Sequence, residues 1–250
     1  MVEVDRDAGS RFTFLPGFAS FPVWSPDGRQ VMFQSGSPPN LYRKEASGAG
    51  AEQRVTGSHY PQWPTDWSRD RRLVLYYEIA PDTQRDLWVL PVTPGGKPEA
   101  GVNARPYLRT RFNEREGRFS PEPTPRWVAY MSDESARNEV YVQSFPEPRG
   151  KFQISTGGGR WPEWSPDGRE LYYVSADGKL MAAGLKLGED SVTPSAPREL
   201  FAVHTGAGYQ PYAVAPDGKR FLVLAPAGGS QPLEVIVNWP ALLKTGATQP

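Results

Sequence analysis

The sequence predicts an all-β fold, a β-propeller of five four-stranded blades, and three observations carry that prediction. A turn-and-strand segment recurs along the 250 residues at Trp24, Trp67, Phe119, Trp164 and Val214. These anchors lie roughly 43 to 52 residues apart, the length of one four-stranded blade. Glycine and proline, 25 and 27 in number, are spread through the chain and leave no room for long helices. Eight tryptophans and an aromatic share of 12% exceed what a disordered chain carries.

The first repeat reads Pro22-Val-Trp-Ser-Pro-Asp-Gly-Arg-Gln-Val-Met-Phe33, and the fourth reads Pro162-Glu-Trp-Ser-Pro-Asp-Gly-Arg-Glu-Leu-Tyr-Tyr-Val174. The fifth keeps the turn as Ala215-Pro-Asp-Gly218. Proline fixes φ at the start of such a turn, aspartate bonds its own backbone, and glycine accepts the left-handed closing position. Two repeats depart from the pattern. The second has Ser68-Arg-Asp-Arg71, without proline or glycine, and the third has a longer turn, Ser120-Pro-Glu-Pro-Thr-Pro125.

An apolar second strand follows each turn, as in Leu171-Tyr-Tyr-Val174 and Phe221-Leu-Val-Leu224. Third strands are read at Leu41-Tyr42, Asp86–Leu90, Glu139–Gln143, Lys179–Ala182 and Leu233–Trp239. Weaker fourth strands are read at Gln53–Thr56, Tyr107–Arg109, Phe152–Ser155 and Glu199–Phe201. The fifth repeat has no fourth strand of its own. Ser10–Leu15 is expected to supply it and close the ring, which would remove an exposed sheet edge. The expected blades span residues 18–57, 58–110, 111–156, 157–203 and 204–240, plus the closing strand at 10–15, in one domain.

Composition narrows the functional classes. Lysine and arginine total 28 and so do aspartate and glutamate, so the formal charge is zero, unlike a nucleic-acid binder. There is no cysteine, which excludes disulfides, thiolate metal sites and a cysteine nucleophile. The first residues, Met1-Val-Glu-Val-Asp-Arg-Asp7, lack the pattern of a signal peptide. No apolar run approaches the roughly 18 residues of a membrane span. A monomer is expected, without nucleic acid, membrane insertion or cofactor.

The repeat Trp-Ser-Pro-Asp-Gly-Arg with its apolar strand resembles the WD-like repeat of TolB-type β-propellers. Asp86–Pro91, Glu139–Pro146, Ser155–Gly159 and Val235–Trp239 are similar to the propeller at the C-terminal end of certain bacterial serine/threonine kinases. The resemblance runs from about Arg11 to Trp239. It implies a scaffold or sensor that docks partners, and a periplasmic or extracytoplasmic address.

Candidate residues fall into three groups. Trp24, Trp67, Phe119 and Trp164 are read as packing in the wedges between sheets. Asp27, Asp70, Asp167 and Asp217 are read as turn formers, since matching turns of separate blades do not converge on a metal. The loops before each inner strand are the place for a ligand. They hold Phe21; His59, Tyr60 and Trp63; Arg115, Glu116 and Arg118; Arg160 and Trp161; and His204, Tyr209 and Gln210. The binding set is His59, Tyr60, Trp63, Arg118, Arg160, Trp161, Glu163 and Tyr209, which mixes stacking surfaces with directional polar groups at a channel mouth.

No Gly-x-Ser-x-Gly elbow or metal-ligand spacing occurs, and Gly157–Gly159 is not followed by a helix. Two functions fit these residues. One is a non-catalytic module binding a protein, peptide or small ligand. The other is a hydrolase or lyase acting on a sugar or lactone through carboxylates or a channel metal, with Glu116, Glu163 and His59 as its first candidates.

Overall fold

The computed structural model describes the backbone of residues 2–3, 8–9, 11–203, 210–224 and 234–237, and the side chains of 11–203 and 210–224. Among the described residues no helix is long and apolar enough to cross a membrane. The chain divides into two compact units, Met1–Gly117 and Arg118–Pro250.

The first unit opens with a short antiparallel pair, β1 (Val2–Glu3) and β2 (Ala8–Gly9). Its first sheet runs β3 (Ser20–Trp24), β4 (Gln30–Ser35), β5 (Asn40–Glu45) and β6 (Gln53–Arg54) in chain order. The second sheet holds β7 (Gln62–Trp67), β8 (Leu73–Ala80), β9 (Gln84–Pro91) and β10 (Arg105–Leu108). A third meander follows, β11 (Arg115–Phe119), β12 (Trp127–Ser132), β13 (Glu139–Ser144) and β14 (Lys151–Gln153), of which β12–β14 belong to the second unit.

In the second unit the fourth sheet contains β15 (Gly159–Trp164), β16 (Glu170–Ser175), β17 (Lys179–Leu187), β18 (Val192–Pro194) and β19 (Arg198–Ala202). Its long β17 serves two partners. The first half pairs with β19, and the second half makes a hairpin with β18 that the sequence reading did not anticipate. The fifth sheet shows β20 (Tyr212–Val214), β21 (Arg220–Val223) and β22 (Glu234–Val237) among the described residues.

The turns form for the chemical reason the sequence suggests. Ser25 Oγ donates to Asp27 Oδ1 at 2.6 Å and accepts from the Gln30 amide at 2.9 Å. Ser68 with Asp70 and Ser165 with Asp167 repeat the serine–aspartate bond at 2.6 Å. Gly28, Gly168 and Gly218 close their turns at φ 68°, 72° and 65°. In the second repeat Arg71 takes that left-handed position, φ 64°, where a side chain crowds the backbone. The longer third turn keeps the serine, since Ser120 Oγ accepts from the Trp127 amide at 3.0 Å.

Alternation along the second strand sorts residues between neighbours. In the first unit Val74 and Tyr76 pack with Trp67 against Met32 and Leu41 of the first sheet. Leu75, between them, faces the other way and meets Gly117 of β11. In the second unit Leu171 and Tyr173 join Trp164 against Trp127 and Ala129. Tyr172 and Val174 point onward, to Phe221 and Val223 of the fifth sheet.

Trp67 and Trp164 are therefore wedge residues, and Phe119 is buried as they are, each at most 7% exposed. Trp24 departs from that expectation. It is 50% exposed. The expected closing strand also differs. Residues 11–15 carry no strand pairing and lie instead on the first sheet. Phe12 meets Phe33 edge-on at 6.3 Å, and the Phe14 amide donates to Glu52 at 2.9 Å. The Lys44 ammonium sits 5.5 Å from the Phe12 ring and 5.2 Å from the Phe14 ring, while pairing with Glu52 at 3.1 Å. A buried cation facing two aromatic rings anchors this arm to the first sheet.

Candidate functional site

The loops that lead into the inner strands are held from below by buried polar side chains. In the first unit Asn40 Oδ1 accepts from the Ser58 amide at 2.7 Å, and Ser58 Oγ donates to buried Glu78 at 2.7 Å. Gln62 Nε2 donates to the same Glu78 oxygen at 2.7 Å. In the second unit Glu139, 1% exposed, accepts from Ser155 Oγ and from the Gly158 amide. These loops are fixed platforms.

A second device lies in the strands themselves. Phe21, Glu116 and Trp161 take left-handed φ values of 55°, 55° and 53°. They occupy one place in three repeats, ahead of Trp24, Phe119 and Trp164. Register breaks there between Ser20 and Val23 in β3 and between Arg160 and Glu163 in β15. In the other two repeats the place is held by Pro64 and Pro211, whose φ is fixed near −65°. A bulge with a bulky left-handed residue re-aims side chains and stores about 1–3 kcal/mol of strain. Sequence reading passed over this feature, although the alternation of bulky residue and proline at one repeat position was its visible trace.

Each unit gathers part of the expected site. In the first, His59 and Tyr60 stand exposed, and the Tyr60 amide donates to Ser58 Oγ at 3.0 Å. Trp63 stacks on Tyr77 with ring centres 5.1 Å apart and 13° between planes. Burial drives the Tyr77 hydroxyl well above the ordinary tyrosine range. The Glu116 charge adds to that, against the opposing charges of Arg85 and Arg115.

In the second unit Arg118, Glu163 and Gln210 form a closed triangle. Arg118 Nε donates to Glu163 Oε1 at 2.7 Å, and its Nη2 donates to Gln210 Oε1 at 2.6 Å. Gln210 Nε2 donates to that same Glu163 oxygen at 2.7 Å. Trp164 Nε1 donates to the Arg118 carbonyl at 3.1 Å, tying the triangle to the wedge aromatic. Trp161 is buried, and its carbonyl accepts from the Tyr212 hydroxyl at 2.7 Å. Burial, reinforced by the Glu163 charge, raises that hydroxyl far above the usual tyrosine value.

Arg160 is exposed at the start of this strand. Tyr209 and His204 lie outside the described residues. Gln210, named only as a loop residue in the sequence, closes the triangle by bonding both Arg118 and Glu163. Among the described residues no group of three or more histidines, aspartates or glutamates is placed to hold a metal ion.

No protein-family model and no curated protein sequence matches the chain. Solved structures do. Hydrazine synthase of Kuenenia stuttgartiensis aligns with a TM-score of 0.62 at 14% identity, over 94% of this chain and 76% of that one. TolB from Acinetobacter baumannii aligns with a TM-score of 0.60 at 14% identity, over 82% of this chain and 48% of its own. An oligogalacturonate lyase in complex with manganese gives a TM-score of 0.58 at 14% identity, over 89% and 66%. The chain thus spans about half the length of that TolB. Identities this low speak for architecture alone, and with the recurrent antiparallel sheets they give one conclusion: this chain has the TolB-type β-propeller fold.

Proposed function

We propose that this propeller is a non-catalytic recognition module that binds a protein, peptide or small ligand at the loops entering its inner strands. Its structural neighbours include enzymes as well as TolB, so the argument rests on the site. The observation that carries the proposal is the Arg118–Glu163–Gln210 triangle. Glu163, one of the acid–base candidates of the sequence with Glu116 and His59, gives one oxygen to both Arg118 and Gln210. A carboxylate committed in this way is a structural anchor, whereas a general acid or base needs a reacting proton within reach.

What the platform offers outward is the exposed Arg160 guanidinium, beside the rigid left-handed turn at Trp161. A planar guanidinium on a fixed platform suits a carboxylate-bearing ligand such as an acidic peptide. Thermal unfolding with a panel of acidic and neutral peptides tests this. Acidic peptides should raise the midpoint, since selective binding to the native state stabilises it. Arg160→Ala should remove that rise and leave the midpoint of the free protein unchanged. An equal rise with neutral peptides, or one surviving in Arg160→Ala, would place the ligand elsewhere.

The catalytic reading draws its support from Glu116, whose left-handed backbone is the kind of strain that collects at active sites. Turnover of a sugar lactone or an oligogalacturonide, with or without manganese, and its loss in Glu116→Gln would replace the recognition proposal.

A further inference from the structure

The motif turns lie at the ends of the inner strands remote from His59 and Arg160. Where two successive turns meet, the two units fill the junction differently. In the first unit two guanidiniums occupy it. Arg71, from the turn of the second sheet, donates to Asp27 Oδ2 in the turn of the first at 2.6 Å. Arg43, 7% exposed, donates to Gln30 Oε1 at 3.0 Å and to the Gly95 carbonyl at 2.6 Å.

Repeat and register place the counterparts of these residues in the second unit. Asp167 stands where Asp27 does, and Glu170 where Gln30 does. Met32 pairs with Arg43 and its counterpart Tyr172 pairs with Ala182, so Ala182 replaces Arg43. Gly218 replaces Arg71 with the same left-handed backbone, φ 65° against 64°. Small residues thus stand where the first unit has its two arginines, and both acceptors persist, here as carboxylates. Between these turns runs a groove of about 490 Å³, lined by Asp167, Glu170, Tyr172, Gly184, Gly218 and Lys219 among others.

Glu170 is engaged from within the unit. Arg198 donates to its Oε1 at 2.8 Å, and the Tyr172 hydroxyl donates to its Oε2 at 3.1 Å. Asp217 takes the Lys219 amide at 2.9 Å and the Arg220 guanidinium at 2.8 Å. Asp167 keeps an outward acceptor. Its Oδ1 takes the Ser165 hydroxyl and the Arg169 amide, bonds that hold the carboxyl below its usual range and so keep it charged. Its Oδ2 meets Arg169 of the same turn at 3.9 Å, beyond hydrogen-bond reach. Arg169 and Lys219 are cations beside this oxygen. Their counterparts Arg29 and Arg72 adjoin Asp27 and Arg71 in the chain and do not prevent that pair.

We propose that this groove binds the guanidinium group of an arginine presented by a peptide, seated on Asp167 as Arg71 is seated on Asp27. The planar fork of a guanidinium suits a carboxylate edge better than an ammonium does. Arg160 lies at the other end of β15, so this site stands apart from the one proposed above.

Nuclear magnetic resonance titration of the full chain with acetyl-Gly-Arg-Gly-amide tests it. The peptide should shift the amide signals of Gly168, Arg169, Gly218 and Lys219 saturably. The uncharged citrulline peptide should not. Asp167→Asn should weaken the binding by at least about threefold. Gly218→Arg, which supplies the protein's own guanidinium, should abolish it, and the amide spectrum of each variant reports its fold. Free L-arginine, whose carboxylate Asp167 and Glu170 repel, should bind more weakly than the peptide. Absence of saturable shifts at these amides overturns the proposal, as do equal shifts with the citrulline peptide. Wild-type affinity in a folded Gly218→Arg variant overturns it too. Equal binding of free arginine would make the amino acid the ligand and overturn the peptide.

Discussion

At the scale of single residues, the motif positions differ sharply in what they contribute. Trp164 is buried in the wedge between the third and fourth sheets, so Trp164→Ala should lower unfolding free energy by about 3–5 kcal/mol. Trp24→Ala removes the same side chain from a half-exposed site and should cost well under half as much in the same urea titration. A different balance governs Arg71. Its left-handed backbone costs about 1–2 kcal/mol. Its exposed ion pair with Asp27, at 2.6 Å, returns about 0.2–1 kcal/mol. Strain is the larger effect, so Arg71→Gly should be net stabilising by chemical denaturation. The sequence shows which positions carry the motif. It does not show that Trp24 is exposed, because exposure depends on what lies across from it and not on local pattern.

Between residue and fold lie the strands and the loops that deliver them. The four-residue turns, the apolar second strands and most third strands are legible in the sequence, because turn chemistry and alternation are local. The bulges in the inner strands, the β17–β18 hairpin and the arm on the first sheet are not: the arm depends on partners distant in the chain, such as Phe33 and Glu52, while the hairpin pairs Leu187 with Val192 across a turn that lacks the repeated motif. The Arg118–Glu163–Gln210 triangle shows the limit well. All three members are recognisable as polar residues near inner strands, but their closure into a triangle requires segments distant in the chain to converge. The junction into β15 gives a test at this scale. A Cβ on Gly159 would lie 2.4 Å from Ser155 Oγ, which caps buried Glu139 and accepts from the Val140 amide. Gly159→Ala should therefore cost about 1–3 kcal/mol through overpacking. It should also speed amide exchange at Gly158 and Val140, whose hydrogen bonds the displaced serine disturbs.

For the molecule as a whole, acid stability follows from the repeated turns. Asp27 is held down to about 2 by its bonds to the Ser25 hydroxyl and the Arg29 amide, with Arg71 adding to them. Asp167 and Asp217 are lowered by hydrogen bonds of the same turn kind, first from Ser165 and from the Lys219 amide respectively. A carboxylate whose folded value is depressed adds stability that is present above its unfolded value. That stability is lost as pH falls through the folded value. Burial raises Asp86 and acts in the opposite sense. Asp177 and Glu52 are lowered as well, and together these depressed carboxylates outweigh the raised Asp86 and predict a melting temperature that falls between about pH 4 and pH 2. In an Asp27→Asn variant the fall should be shallower, as scanning calorimetry at stepped pH would show.

The two-faced second strand has a consequence for descent. Because the described sheets within each unit meet through the same pair of faces, a gene segment encoding one such repeat matches its neighbours at its boundaries. Unequal recombination that adds or deletes a repeat leaves each surviving contact chemically intact, joining the same kinds of residue as before. Chains of this type can change their number of repeats in one genetic step, whereas a core drawn from the whole sequence would need many coordinated substitutions to do the same.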